Sequence, residues 1–115
     1  SIQEIGEELK KISKLCRDLK IDKKEFFGGS MTISSLGGIG GTFFTPIINP
    51  PEVAILGVGK SYDKLVKDKN KIVSRKILPI SLSYDHRIID GAEGARFCVY
   101  LGKCLGKDFA FKLAV

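Results

Sequence analysis

Glycine and proline are concentrated between residues 28 and 51, and this segment constrains the fold more than any other part of the chain. It holds six of the thirteen glycines and three of the four prolines. The run from Thr45 to Pro51 cannot form a helix, because proline lacks a backbone N–H and restricts the residue before it. We therefore expect extended crossings and tight turns here, with one short strand at Met31–Ser34.

The loop that follows this strand, Ser35–Gly41, contains four glycines and invites comparison with phosphate-binding loops. The dinucleotide-binding fingerprint is missing from it, and so is the Walker pattern that ends in Gly-Lys-Ser/Thr. Tight turns or a close approach between backbone segments explain these glycines better than a phosphate site does.

The opening segment, 1–21, predicts an amphipathic helix. Its apolar residues recur at steps of three and four, which places them on one helical face. They are Ile2, Ile5, Leu9, Ile12, Leu15 or Cys16, and Leu19. Ser1 and Glu4 have the spacing of a capping box. Such an apolar stripe needs a partner surface, so a fragment of a larger fold or an obligate oligomer is expected.

The later part of the chain predicts strands and a second helix. We expect a buried strand at Glu52–Val58, a polar loop at Lys60–Lys71 and a long strand at Ile72–Tyr84, with Pro79 at an edge or a bulge. A helix is expected over 91–106, with Asp90 as its N-cap. The strands and Gly/Pro-rich loops thus occupy 28–85, and the order helix, strands, helix indicates an α/β fold of the layered α+β kind.

Length and composition describe one ordinary domain. The chain has 115 residues, 43% of them hydrophobic and 28% charged, which is typical of a globular protein and not of a disordered one. Its apolar runs fall far short of the roughly 18 residues that a membrane span requires. No secretory signal pattern opens the chain, so we expect an intracellular protein without a membrane partner.

Cysteine and histidine usage argues against disulfides and metal sites. The three cysteines, Cys16, Cys98 and Cys104, include no C-x-x-C pair, and we expect reduced packing residues. A single histidine, His86, leaves no Cys–His cluster at ligand spacing, so no metal is expected.

The net charge of +6 suits an anionic partner. Scattered lysines on a solvated surface explain the same excess, and no aromatic residues interleave with them as in proteins that bind single-stranded nucleic acid. We therefore expect no nucleic-acid partner. A steep salt dependence of binding would be the sign of one.

His86 is the residue most suited to chemistry. It lies where a predicted strand ends and a helix is about to begin, a position from which side chains project into clefts. An imidazole ordinarily has a pKa of about 6.5 and is able to take a proton from a thiol near neutral pH. A histidine between an aspartate and an arginine is also often an ordinary hydrogen-bonded residue, and the residue types alone leave both interpretations open.

Three stretches of the sequence resemble one family. SYDHRIIDG (83–91) resembles the D-H-R-x-x-D-G signature of the dihydrolipoamide acyltransferases, the core component of 2-oxoacid dehydrogenase complexes. Two further stretches look like the family's segments around this signature. The segment that precedes it resembles TISSLGGIGGTFFTPIINPPEVAILGVGK (32–60), and the strand that leads into the histidine resembles KILPISLSYDHR (76–87). The sequences of these stretches are most similar to those of the acetyl-transferring, pyruvate dehydrogenase type. The resemblance covers nearly the whole chain, but only the C-terminal half of the family's catalytic domain.

This resemblance implies a fold like that of chloramphenicol acetyltransferase, with a mixed sheet flanked by helices. It also implies homotrimers with active sites at subunit boundaries, assembled into a cubic or dodecahedral core. Coenzyme A enters as a substrate, and the acyl group arrives on a lipoyl group carried by a domain outside this chain, so no cofactor is expected to be bound here. The compartment is the bacterial cytoplasm or the mitochondrial matrix.

The family's active-site loop maps to 86–91. The resemblance makes His86 the general base and Ser34 the hydroxyl that stabilises the oxyanion, with Ser34 supplied by a neighbouring subunit. Asp90 is the third expected site residue, steering the imidazole or pairing with a basic side chain, although an N-cap role also accounts for it. Asp85 and Arg87 are expected to hold the loop by ion pairing. The alternatives are a non-catalytic scaffold or an inactive fragment of the same core.

Overall fold

The computed structural model describes residues 1–106, and within them it contains two helices, a 3-10 turn and five strands. The elements are α1 (Ile2–Arg17), the 3-10 turn (Lys23–Phe26), β1 (Thr32–Ser35), β2 (Ala54–Val58), β3 (Tyr62–Asp68), β4 (Lys71–Ile77), β5 (Ile80–Tyr84) and α2 (Gly91–Cys104). This order of helix, strands and helix confirms the predicted α+β class. The described residues divide into two compact units, one formed by residues 1–29 with 102–106 and the other by residues 30–101.

Helix α1 begins as the sequence predicts and ends earlier. The Ser1 hydroxyl accepts a hydrogen bond from the Glu4 backbone N–H at 3.2 Å, and the capping box is complete. The helix stops at Arg17 because Leu19 adopts a left-handed φ of 53°. The Leu19 and Lys20 N–H groups then turn back onto the carbonyls of Cys16 and Leu15, respectively, which is the pattern of a Schellman cap. The helix predicted as far as residue 21 is therefore four residues shorter.

The apolar stripe of α1 is largely uncovered, and no residue of this helix is buried. Ile2, Ile5 and Leu9 are 61%, 65% and 64% exposed. Ile12 and Leu15 are half-buried beside Ile21, where the 3-10 turn folds back within the same unit. The stripe therefore lies on one face as predicted, and most of it remains open to solvent.

The second unit is built on a mixed three-stranded sheet in the order β1-β2-β5. Strand β1 runs parallel to β2, and β5 runs antiparallel to it. The central strand β2 supplies three buried apolar side chains, Ala54, Ile55 and Leu56. A central strand is covered by neighbours on both sides, which explains why an uninterrupted apolar run occupies this position.

The two faces of this sheet are covered differently. The strand register places Ser34, Gly57 and Ser81 in one row, and Phe44 and Pro46 pack onto that row at Gly57. The opposite face carries Ala54, Leu82 and Tyr84, and helix α2 lies against it through Gly94. The segment 42–51 forms neither helix nor strand, as its prolines require.

Two predictions for the region between β2 and β5 are wrong. The expected polar loop at Lys60–Lys71 contains strand β3, which pairs with β4 in a separate hairpin closed by Lys69 and Asn70 at positive φ. The expected long strand at Ile72–Tyr84 is two strands, since the chain leaves the hairpin at Leu78 and enters the three-stranded sheet after Pro79. Proline at the break donates no ladder hydrogen bond, and its carbonyl instead accepts one from the Gly59 N–H at 3.0 Å.

Cys16, Cys98 and Cys104 are free and partly buried. In the part of the chain that the structure describes, neither helix has the length and apolar character needed to cross a bilayer. The predicted helical segment 91–106 is occupied by α2 at Gly91–Cys104.

Candidate active site

His86 lies in a tight turn between β5 and α2. The Asp85 N–H donates to the Val53 carbonyl at 2.8 Å and so extends the pairing of β5 with the chain before β2. The Asp85 carbonyl then accepts hydrogen bonds from the N–H groups of Ile88 and Ile89, both at 3.0 Å. This turn reverses the chain immediately beyond the sheet and leaves the side chain of His86 exposed.

Asp85 and Arg87, on either side of the histidine, form a two-pronged ion pair. The Arg87 Nε and Nη2 atoms donate to the two Asp85 carboxylate oxygens at 2.9 and 2.7 Å, and the Arg87 N–H donates to Oδ1 at 3.0 Å. These bonds lower the pKa of Asp85 to about 2 and raise the pKa of Arg87. The turn is therefore clamped from both sides of His86, as the sequence predicts.

The imidazole of His86 contacts an aromatic ring and a glycine. Its centroid lies 5.7 Å from that of Tyr84, with the two planes tilted by 34°. A Cβ atom placed on Gly91 would lie 3.7 Å from His86 Nε2, so the missing side chain leaves room for the imidazole. Within residues 1–106 the imidazole makes no hydrogen bond, and its side chain is exposed.

Asp90 caps helix α2. Its Oδ1 atom accepts from the Glu93 N–H at 2.8 Å, and its backbone carbonyl accepts from the Gly94 N–H at 3.1 Å. The capping bond holds the end of the loop four residues beyond His86. The Asp90 side chain is thus hydrogen-bonded to the backbone of α2.

Ser34 lies in β1, far from His86 within the same chain. Ser34 pairs with Gly57, which pairs with Ser81, whereas His86 lies beyond the far end of β5. At ~3.3 Å per residue and ~4.8 Å per strand, Ser34 is about 13 Å along the sheet from Asp85, the residue before His86, and about 10 Å across it. A base and an oxyanion donor acting on one thioester must approach much more closely. The chain by itself does not bring the two together.

Comparison with known proteins identifies the family. Residues 1–110 match the model of the 2-oxoacid dehydrogenases acyltransferase catalytic domain. The chain belongs to this family.

Relatives in the acyltransferase family are closely similar over most of the chain. The dihydrolipoyllysine-residue acetyltransferase component of the pyruvate dehydrogenase complex from Cupriavidus necator is 56% identical over 108 residues, which are 94% of this chain and 19% of that protein. The corresponding Haemophilus influenzae component is 55% identical over 104 residues, or 90% of this chain and 18% of its own length. The present chain thus spans less than a fifth of these two relatives.

Solved structures agree with this assignment. A structure of Azotobacter vinelandii dihydrolipoamide acetyltransferase superimposes with a TM-score of 0.90 at 47% identity, covering 96% of this chain and 45% of the other. The cubic core of a pyruvate dehydrogenase multienzyme complex matches with a TM-score of 0.90 at 46% identity and the same coverage. The fold is that of an acyltransferase catalytic core, of which this chain spans somewhat less than half.

Tyr84 is the feature of the candidate site that sequence reasoning missed in this member of the acyltransferase family. It stands two residues before His86 within the signature stretch, at the end of β5, and its contact with the imidazole depends on the turn that carries His86. Its second contact, Gly94, carries no side chain and so leaves no apolar pattern to detect. In the described part of the chain, no group of three or more His, Cys, Asp or Glu side chains is arranged to hold a metal ion.

Proposed function

We propose that this chain is the C-terminal half of a dihydrolipoamide acetyltransferase catalytic domain and carries its catalytic histidine and serine. The reaction moves an acetyl group between S-acetyldihydrolipoamide and coenzyme A. The observation that carries the proposal is the loop around His86, an exposed imidazole held between a clamped turn and a capped helix, in a chain of this family.

Residue spacing supports the assignment of the individual site residues. The Azotobacter vinelandii structure concerns the roles of one serine, one histidine and one asparagine in catalysis, spaced 52 and 4 residues apart along that chain. Ser34, His86 and Asp90 are spaced 52 and 4 residues apart here. Two of the three residue types are the same, and the third differs only in carrying a carboxylate in place of a carboxamide.

His86 acts as the general base in this mechanism. The imidazole takes the proton from the coenzyme A thiol, and the thiolate attacks the carbonyl carbon of the acetyl thioester. A new carbon–sulfur bond forms, and the tetrahedral intermediate carries the negative charge on oxygen. When the bond to the dihydrolipoyl sulfur breaks, the imidazolium returns the proton to that sulfur. General-base help of this kind contributes about 10²- to 10⁴-fold to the rate.

Ser34 stabilises the oxyanion of the intermediate. Its hydroxyl makes no hydrogen bond within residues 1–106 and is available as a donor. A donor aimed at the developing charge contributes on the order of 10²-fold. Because Ser34 and His86 of one chain lie at opposite ends of the sheet, the serine of each site comes from a second copy. This arrangement is consistent with a homotrimer whose sites lie at subunit boundaries.

Asp90 serves this site as a positioning residue. Its carboxylate caps α2 and so fixes the C-terminal end of the loop that carries His86. Both aspartate and asparagine cap helices well, which accounts for a carboxamide at the corresponding spacing in the Azotobacter vinelandii protein.

The same proposal names the partners. The acyl donor is a lipoyl group carried outside this chain, and the trimers assemble into a larger core, as the cubic core of the similar solved structure suggests. The relatives are bacterial pyruvate dehydrogenase components, which supports a place in the bacterial cytoplasm.

The decisive experiment measures acetyl transfer from S-acetyldihydrolipoamide to coenzyme A by the protein and two single variants. His86→Ala is expected to lose several orders of magnitude in kcat with its circular dichroism unchanged. Ser34→Ala is expected to lose kcat with little change in KM, because the oxyanion exists only in the transition state. Ser35→Ala, on the opposite face of the same strand, is the matched control and retains full activity.

Absence of turnover in the unsubstituted protein would contradict catalysis by this chain. It would instead favour the second candidate, an inactive structural part of the same core. The separation of Ser34 from His86 and the 45% coverage of the solved chains favour that candidate.

A further inference from the structure

Tyr84 is held firmly between the sheet and helix α2. It is the last residue of β5 and pairs with Ala54 in the central strand. A Cβ atom on Gly94 would lie 2.8 Å from Tyr84 Cε1 and 3.0 Å from Cζ, so the ring fills the space that a side chain on the helix would occupy. Gly94 is buried by this contact. The ring therefore has little freedom to move.

His86 lies beside the same ring. The centroids are 5.7 Å apart at a tilt of 34°, within the range that aromatic pairs prefer. The Tyr84 hydroxyl oxygen and His86 Nε2 both lie 3.7 Å from the point where a Cβ on Gly91 would be. Tyr84 and Gly91 thus bound the imidazole on two sides.

Packing is the restraint on the imidazole that the described residues provide. The ring of His86 is exposed and makes no hydrogen bond within residues 1–106, so no polar partner there fixes its rotamer. An unrestrained side chain populates several rotamers, and only some of them present the basic nitrogen to a substrate. A rigid neighbour selects among them at no cost during the reaction.

We propose that Tyr84 is a positioning residue whose ring sets the orientation of the His86 imidazole, and that Gly94 permits this by leaving space for the ring. The inference rests on the proposed role of His86 as the general base. It assigns the effect to the ring of Tyr84 and not to its hydroxyl, since the ring makes the contact with the imidazole.

The first test reports on the imidazole without any turnover. The chain contains one histidine, so ethoxycarbonylation by diethylpyrocarbonate, followed by the absorbance of the modified imidazole, reports on His86. Tyr84→Leu removes the aromatic ring beside the imidazole and is expected to raise the modification rate about threefold or more. The reason is that the imidazole can then adopt rotamers in which diethylpyrocarbonate reaches its nitrogen. Tyr84→Phe keeps the ring and is expected to react at the original rate. Tyr100→Leu, which removes a tyrosine that is 70% exposed on α2, is the matched control.

The second test measures kinetics and stability on the same variants. Tyr84→Leu is expected to lower kcat about tenfold with the KM for coenzyme A unchanged, because a misplaced base costs rate and not binding. Tyr84→Phe is expected to retain kcat within about twofold, which is rescue by the conservative variant. Gly94→Ala, which displaces the ring, is expected to resemble Tyr84→Leu in both assays.

Each outcome separates the two proposals. A raised modification rate in Tyr84→Leu, in a protein that shows no turnover at all, supports the positioning contact and contradicts the proposed catalysis. Unchanged modification and unchanged kcat in Tyr84→Leu, with only a lower melting temperature, would overturn the positioning role. An equal loss of kcat in Tyr84→Phe would overturn the assignment to the ring.

Discussion

Ser34 and His86 lie at opposite ends of one three-stranded sheet, with the pair Gly57–Ser81 marking the level of Ser34 and Tyr84 marking the level nearest His86. The central strand β2 separates them laterally. One copy of the chain therefore does not bring the two residues together, and the proposed active site takes its serine from a second copy.

Mixing two inactive variants is expected to restore activity. Ser34→Ala retains an intact histidine and His86→Ala retains an intact serine, so a mixed oligomer contains some sites with both. Equal amounts dissociated and reassembled together should recover about a quarter of the sites, as random assembly of a closed ring requires. Acetyl transfer after reassembly is the measurement. A chain with both substitutions, mixed with either single variant, is the control that stays inactive, and recovery there would contradict site sharing.

Asp90 offers a series that separates capping from charge. Asp90→Ala removes the acceptor for the Glu93 N–H and is expected to lower the free energy of unfolding by about 1 kcal/mol. Asp90→Asn retains a capping oxygen and should change that free energy by only a few tenths of a kcal/mol. We expect kcat to follow the same order, with the asparagine variant near normal. Urea unfolding and acetyl transfer check both expectations, and a large loss of kcat in Asp90→Asn would show that the charge itself is required.

The ion pair of Asp85 and Arg87 predicts a defined pH dependence. Because the folded pKa of Asp85 is lowered to about 2, the stabilisation is present above the ordinary aspartate pKa of about 4 and is lost as pH falls toward 2. Arg87→Gln should return the pKa of the Asp85 carboxyl toward its ordinary value, as a carbon-13 NMR titration of that carboxyl would show. Lys76→Gln breaks a distant exposed pair with Asp63 and should leave the titration of Asp85 unaltered. A carboxyl that titrates identically with and without Arg87 would contradict the clamp.

Gly59 is expected to tolerate no side chain. A Cβ atom there would lie 2.0 Å from the Thr42 carbonyl oxygen, so the backbone must move, and Gly59→Ala should lower the free energy of unfolding by roughly 1–3 kcal/mol. The matched control is Gly6→Ala in α1, where nothing lies within 4 Å. There the same change is expected to stabilise the helix by about 0.5–1 kcal/mol. Thermal unfolding of the two variants should shift in opposite directions.

Some of the fold follows from local patterns and some does not. The starts of α1 and α2 are visible in the sequence because Ser1 and Asp90 are polar caps placed before apolar periodicity. Strand β3 escapes prediction because its residues are mostly exposed on a two-stranded ribbon, so aspartates and lysines interrupt it where a sheet core would show apolar residues. The division of the expected long strand depends on which sheet each half joins, and Pro79 marks the break without specifying that choice.

Some features of the candidate site also follow from the sequence, and others do not. His86, Ser34 and Asp90 are proposed as site residues because their motifs resemble a family, and the observed ion pair of Asp85 and Arg87 follows from opposite charges two residues apart. The packing of the Tyr84 ring was not predictable, since its partner on helix α2 is a glycine. The contact between the Tyr84 ring and Gly94 becomes apparent only when the positions of β5 and α2 are known.

The small core has a thermodynamic consequence. Among the described residues the buried apolar side chains are those of Ala54, Ile55 and Leu56 and of two prolines, Pro46 and Pro79, while α1 leaves most of its stripe exposed. The denaturant dependence and the heat capacity of unfolding both scale with the surface that unfolding newly exposes. A dilute solution of this chain should therefore unfold over a broad range of urea, with a small heat-capacity change for 115 residues. Raising the protein concentration should make the urea unfolding transition steeper. If copies associate, the apolar stripe of α1 becomes buried between them, and unfolding then exposes that surface as well.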